Sequence, residues 1–419
     1  MSLFNLLNRL VQTGQLTVID ASGKRRRFGA DNGPAVTIRL HDRRLYYRLF
    51  LNPELHLGEA YMDGTLTLEQ GSLYDLLHLC TLNAAALTQH PFQRVRQRLD
   101  RLWKSLQQYN PTTRARANVA HHYDLSGALY DRFLDPDRQY SCAYFPTGSE
   151  TLEAAQRRKQ IHLGAKLLLR PGQQVLDIGS GWGGLGLFLA QVAQVDVTGV
   201  TLSEEQLKVA RTRAAAAALS DRVRFHLRDY RQENGPYDRI VSVGMFEHVG
   251  ATHYGEFFGK VRDLLKPDGV AVLHSIGRMA GPGTTNAWIR KYIFPGGYCP
   301  ALSEVLSAVE RAGLWVTDLE ILRVHYADTL REWSRRFARH REEVKALYDE
   351  RFCRMWEFYL AVSEVAFRNL DQMVFQIQLA RCKDAVPQTR DYMAEWERRQ
   401  LENTQPAGLD EVRQRRLRA

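Results

Sequence analysis

The stretch "VLDIGSGWGG", residues 175–184, restricts this chain more than any other. It joins an apolar run to the helix-patterned "GLGLFLAQVA" through Gly179, Gly181 and Gly183. Such a turn leaves room where the backbone must bend and where a ligand must come close. Around it, "QQVLDIGSG", "VDVTGVTLS", "RVRFHLRDY", "DRIVSVGMFEHV" and "GVAVLHSIG" read as successive buried strands separated by helical segments. That alternation predicts an α/β fold of the Rossmann-like kind, a mostly parallel sheet with helices on both faces. The glycine turn at its first strand implies a nucleotide cofactor.

A glycine-rich strand-to-helix turn is shared by NAD, flavin and other sites, so its neighbours decide the cofactor. Asp177 lies two residues before the first glycine, where a carboxylate can organise the loop and meet the cationic amino-acid end of S-adenosylmethionine. An NAD site needs no acid there. In "RDY", after the third strand, Asp229 can accept from an adenine amino group and Tyr230 can cover the ring. Together these favour S-adenosylmethionine. No acid ends the second strand: "VDVTGVTLSEEQ" offers Thr201, then Glu204, Glu205 and Gln206, so the group that holds the ribose hydroxyls stays open.

The chain has 419 residues, which favours two domains, and its 44% apolar content can fill large cores. Cys80, Cys142, Cys299, Cys353 and Cys382 are odd in number, widely spaced and include no C-x-x-C, which argues against a disulfide framework or structural zinc and fits a reducing cytosol. "HHYD" places His121 and His122 side by side, pointing in different directions and without a third ligand, so no metal is expected. No apolar run reaches the length of a membrane span and the first residues lack a signal-peptide pattern, so any membrane contact is expected to be peripheral. The net charge of +10 favours an anionic partner, nucleic acid or acidic lipid, and cannot choose between them. No recognisable nucleic-acid-binding module or base-flipping signature is present, which argues against the first.

Residues 1–108 read as a smaller α+β domain that mixes short apolar alternations ("GPAVTIRLHD", "RLYYRLFL") with helical stretches, and "KRRR" at 24–27 reads as a turn. From Phe92 to Leu106 a helical apolar spacing carries Arg94, Arg96, Arg98, Arg101 and Lys104 on other positions, a basic helix for a membrane surface or for packing between domains. "YNPTTRARAN" at 109–118 reads as a linker, residues 119–395 as the catalytic domain, and 396–419 as a charged, solvated tail.

Eight motifs in order, "HHYDLS", "QYSCAYF", "VLDIGSGWGG", "VTGVTLSEEQ", "RIVSVGMFEHVG", "VLHSIG", "IFPGGYCP" and "HYADTL", resemble the cyclopropane fatty acid synthase family of S-adenosylmethionine-dependent methyltransferases, over residues 120 to about 385. Residues 1–105 make the chain look like the long bacterial form, whose N-terminal domain serves lipid contact and dimerisation. Ser180 departs from the family, which usually has cysteine there. The resemblance implies a class I methyltransferase domain, a homodimer at the inner membrane surface, and a methylene unit added to the cis double bond of a phospholipid acyl chain.

That reaction passes through a carbocation, so the site must exclude water and supply a base for a proton on carbon. Tyr140, Tyr144, Phe145, Phe246 and Tyr298 are candidates to stabilise the cation, with core packing as the alternative for each. The resemblance implies a bound bicarbonate ion as the base, held at Cys142, Glu247, His274, Ile276 and Tyr326: backbone amides at Cys142 and Ile276, a carboxylate, an imidazole and a phenol. Without the family, Glu247 and His274 still read as an acid/base pair just beyond the ends of the fourth and fifth strands. Cofactor contacts are carried over to Tyr140, Ser141, Gly179, Gly181, Thr201, Leu202 and Gln206, beside Asp177, Asp229 and Tyr230. Cys142 is expected to matter through its N–H, since an activated methyl donor needs no covalent enzyme intermediate.

Overall fold

The computed structural model describes residues 3–84 and 126–403. The expected basic helix at 92–106, the linker at 109–118 and most of "HHYDLS" lie outside the described residues.

Residues 3–84 build a four-stranded mixed sheet in the order β2-β1-β3-β4, from β1 (Gln15–Ile19), β2 (Arg25–Gly29), β3 (Ala35–Leu40) and β4 (Leu66–Gln70). Leu16 and Val18 of β1 and Val36, Ile38 and Leu40 of β3 alternate into its core, as the period of a half-buried strand requires. Two local expectations are corrected. "RLYYRLFL" is a helix, Arg44–Leu51, because Leu45 and Leu49 bury together one turn apart while Tyr47 faces solvent. Arg25, Arg26 and Arg27 belong to edge strand β2, which pairs with β1 and presents its charges outward.

The catalytic sheet has seven strands in the order β10-β11-β9-β8-β5-β6-β7. They are β5 (Gln174–Ile178), β6 (Asp196–Thr201), β7 (Val223–Leu227), β8 (Tyr237–Val243), β9 (Leu265–Arg278), β10 (Trp315–Leu322) and β11 (Gln372–Ala380). β5 to β9 run parallel, and β11 alone enters antiparallel between β9 and β10. Strand order reverses at β5, which lies between β6 and β8. Ligands bind at that switch point in open α/β sheets.

The two units meet on the long helix Glu350–Asn369, started by Asp349, whose side chain accepts from the Phe352 N–H at 2.7 Å. Helices Pro53–Met62 and Leu73–Leu82 of the N-terminal unit pack along it. Buried Glu59 accepts from Lys291 at 2.7 Å and from Tyr292 at 2.9 Å, and Asn369 donates to Thr81 at 3.1 Å. The apolar cluster around Trp288, Trp333 and Trp356 includes Met62 and Leu77, so the units share a core. At the other end of the chain, helix Asp391–Glu402 runs through the position where the sequence places the start of a solvated tail. Trp396 packs on Gly164, and Glu397 meets His162 at 2.6 Å, so this helix is part of the catalytic unit.

Candidate active site

The glycine turn ends β5 with Gly179 at φ +81° and Gly181 at φ +54°. A Cβ on Gly179 would strike the Met245 side chain, whereas one on Gly181 would meet nothing and project into open space. Above this turn lies a cavity of about 160 Å³ whose wall includes all ten residues expected to hold the cofactor: Tyr140, Ser141, Asp177, Gly179, Gly181, Thr201, Leu202, Gln206, Asp229 and Tyr230.

Asp177 is 2% exposed and its Oδ2 has no hydrogen-bond partner. Burial raises its carboxyl to about 7, against the pull of Lys159. A buried acceptor without a donor fits a cationic group arriving from the cavity. Thr201 donates to Gln206 Oε1 at 2.9 Å, which leaves the Gln206 amino group as that side chain's donor toward a ligand. Asp229 is bound to Arg231 through both oxygens, at 2.9 and 2.7 Å, so an adenine amino group would share an oxygen that already accepts from a guanidinium. Ser180 also borders this cavity, and its hydroxyl donates to the Val200 carbonyl at 3.4 Å.

Tyr140, Ser141, Gly244 and His248 also form the wall of a second, larger chamber of about 810 Å³. Cys142, Glu247, His274, Ile276 and Tyr326 all border this chamber, together with a mainly apolar lining that includes Phe294, Phe358 and Phe367. Part of the wall comes from the N-terminal unit: Leu57, Leu77, Cys80 and Thr81.

Glu247 sits in the turn Phe246–His248 after β8. Its Oε1 accepts the Ile276 N–H at 2.6 Å and its buried Oε2 has no partner. This corrects the expected role of Ile276, whose amide is engaged by the carboxylate rather than open to an anion. Burial pushes the Glu247 carboxyl up to about 7, although the Ile276 N–H works against it. His274 is not beyond its strand: β9 continues to Arg278 because antiparallel β11 pairs along it, with Gln376 opposite His274. Gln376 Nε2 lies 3.1 Å from His274 Nδ1. An amide nitrogen only donates, so Nδ1 accepts and the neutral ring carries its proton on Nε2. Burial, with Lys159 and Lys166 nearby, holds this imidazole far below its usual range.

Cys142 is fully buried, and burial pushes its thiol far up. Its Sγ donates only to the neighbouring Ala143 carbonyl at 3.3 Å. Among the described residues its backbone N–H has no hydrogen-bond partner. Of the five aromatic candidates, Tyr140 and Tyr298 face the chamber. Phe246 stacks in a cluster with Tyr254, Phe257 and Phe258, Tyr144 stacks on His162, and Phe145 packs in the interdomain core, so for these three the core reading holds. Among the described residues no cluster of His, Cys, Asp and Glu has the arrangement of a metal site.

Sequence reasoning missed Gln376, Lys159 and the wall residues of the N-terminal unit. Lys159 carried a signal, because Leu152, Ala155, Lys159 and Leu163 share one helical stripe and all four are buried. The others meet the site only through the fold.

A sheet with this strand order, a glycine turn at its switch point and a buried acid beneath that turn define a class I S-adenosylmethionine-dependent methyltransferase. The comparisons agree and go further. The family model for mycolic acid cyclopropane synthetase matches residues 110–377, and a domain of unknown function matches residues 4–91. The chain is 38% identical to the probable fatty acid methyltransferase of Pseudomonas putida, over 87% of this chain and 93% of that one. It is also 38% identical to the cyclopropane-fatty-acyl-phospholipid synthase of Escherichia coli K12, over 84% and 90% of the two chains. The solved structure of mycolic acid cyclopropane synthase CmaA1, complexed with SAH and CTAB, superposes with a TM-score of 0.60 at 34% identity, covering 65% of this chain and 99% of that one. The chain therefore belongs to the cyclopropane synthase family.

Proposed function

We propose that this enzyme adds a methylene unit from S-adenosylmethionine across the cis double bond of an unsaturated phospholipid acyl chain, forming a cyclopropane ring. The observation that carries this reading is the apolar chamber of about 810 Å³ that shares Tyr140, Ser141, Gly244 and His248 with the cofactor cavity. Its size and mainly apolar lining suit a long hydrocarbon chain, and Glu247, His274 and Tyr326 border it.

S-adenosylmethionine, when bound, would supply an electrophilic methyl, and a bicarbonate ion would supply the proton acceptor. The alkene's π electrons form the new C–C bond while the sulfonium–carbon bond breaks toward sulfur. A proton then leaves the added methyl, and its C–H electron pair closes the ring. The aromatic walls, Tyr140 among them, shield the cation from water and face it with their rings. With the Ile276 N–H held by Glu247, the groups that would hold a bicarbonate ion are Glu247 Oε2, the Cys142 N–H, His274 Nε2–H and Tyr326. Glu247, already near neutrality, is suited to take the proton onward.

A second reading keeps the fold and cofactor and ends in methyl or methylene branching, and the Pseudomonas putida relative's name favours it. Incubation with S-adenosylmethionine and vesicles of monounsaturated phospholipid separates the two: high-field cyclopropane methylene signals in the proton spectrum support ring closure, and a mass gain without them supports branching. Because the substrate lies in a bilayer, and no described helix is long and apolar enough to cross one, the enzyme would work as a peripheral protein at the inner membrane surface. The homodimer and the N-terminal lipid contact implied by the long family form belong to the same reading. Vesicle flotation and sedimentation test them.

A further inference from the structure

Behind the segment Gln139–Cys142, which separates the two cavities, helix Leu152–Leu167 presents two polar side chains with almost no solvent contact, Gln156 at 1% and Lys159 at 0% exposure. Gln156 Nε2 donates to the Gln139 carbonyl at 3.1 Å and to the Ser141 carbonyl at 3.0 Å. Lys159 Nζ donates to Gln139 Oε1 at 2.6 Å and to Ser141 Oγ at 2.9 Å. Tyr140 and Ser141 face both cavities and Cys142 faces the chamber. One helical face thus grips the only stretch of described chain that lines both spaces on consecutive residues.

A second amide at position 159 could tie the segment down without burying a charge, so the ammonium calls for a reason. It has only donors, which forces Ser141 Oγ to accept from it and leaves the Ser141 O–H free to donate elsewhere. Ser141 borders the cofactor cavity, where a donor suits the carboxylate of the cofactor's amino-acid end. The charge also reaches both sites. Asp135 and Asp137 from the preceding loop, Cys142 from the segment and Asp177 from β5 all act on Lys159, and Lys159 in turn helps keep His274 of β9 neutral.

We propose that Lys159 is a positioning residue for methyl transfer: from behind the segment it orients Ser141 as a donor to the cofactor and holds the Cys142 N–H toward the chamber. The part that concerns Cys142 rests on the chamber being the reaction site. The part that concerns Ser141 needs only the cofactor, so binding of S-adenosylhomocysteine, measured without lipid, tests it whatever the substrate proves to be.

Burial lowers the Lys159 ammonium to about 8, although the surrounding carboxylates oppose this. Affinity of the wild-type protein for S-adenosylhomocysteine should therefore fall as pH rises through about 8. K159R keeps its charge, so its affinity should stay level through that range. K159M should weaken binding about 10- to 100-fold at neutral pH, the range expected for loss of a charge-assisted hydrogen bond, and should lower turnover on vesicles further. K159R should recover part of both. Wild-type-like affinity in K159M overturns the proposal, as does a wild-type alkaline fall in K159R. Should K159M fail to fold, the paired pH profiles of wild type and K159R still decide: parallel profiles overturn it and divergent ones support it.

Discussion

The cofactor cavity and the larger chamber share a wall and are built in opposite ways. The cavity is assembled from short pieces at one end of the sheet: the β5 turn, the ends of β6 and β7, the stretch after β8, and the segment before helix Leu152–Leu167. The chamber draws on both units, from Leu57 and Leu77 to Phe367 and Leu370. On the proposed function the chamber would hold the substrate, and part of its wall comes from the N-terminal unit, which docks on helix Glu350–Asn369. Changes in chamber residues away from the shared wall should thus leave cofactor binding intact.

The largest effect should come from Glu247→Gln. It removes the buried carboxylate, beside the Ile276 N–H, that would hold the anion and take its proton onward, and turnover should fall about 10²- to 10⁴-fold, the usual cost of losing an acid/base group. Affinity for S-adenosylhomocysteine should hardly change. Equal losses in both, by calorimetry and steady-state assay, would break the division between compartments.

Asp177→Asn addresses the other side and should weaken cofactor binding about 10- to 100-fold. In the free enzyme burial raises Asp177 to about 7, and a cationic ligand selects the ionised form. Protons therefore compete with the cofactor below that pH, and affinity should rise as pH increases through about 7. The asparagine variant should lose this rise. A titration at several pH values in both proteins checks the sign.

How far each compartment can be read from the chain follows the same division. Asp177, Gly179 and Gly181 are legible because strand, turn and helix are contiguous and the chemistry is local. Glu247 is legible as an acid past a strand end, but its hold on the Ile276 N–H depends on how β8 and β9 lie side by side. Gln376 is a polar residue in an apolar strand until β11 pairs with β9 and sets it against His274. "RLYYRLFL" fits a strand or a helix by pattern alone, and packing of Leu45 and Leu49 settles it. Nothing in "LYDLLHLCTL" announces that Leu77 will line a chamber bordered by His274.

Leu77→Trp sharpens this last point, since it fills chamber space from the N-terminal side. The specificity constant for phospholipid should drop by about tenfold, and most for the longest acyl chains, as expected when a hydrophobic site is mis-sized by a few carbons. Binding of S-adenosylhomocysteine should be unaffected, and an equal loss for every chain length would show that Leu77 does not border the acyl path. The smallest effect is expected for Cys142→Ser, which keeps the N–H and replaces a thiol that burial keeps protonated. Near-total inactivation with an unchanged circular dichroism spectrum would return a chemical role to the sulfur.

The central claim is that a methyl group enters the chamber from the cofactor side, loses a proton there and becomes ring carbon. Incubation with S-adenosylmethionine bearing a trideuterated methyl, followed by mass spectrometry and NMR of the lipid, follows that carbon directly. A lipid that gains a CD2 unit and loses its vinylic signals in favour of cyclopropane signals is the predicted result. Retention of all three deuterons, or no transfer to lipid at all, would contradict it.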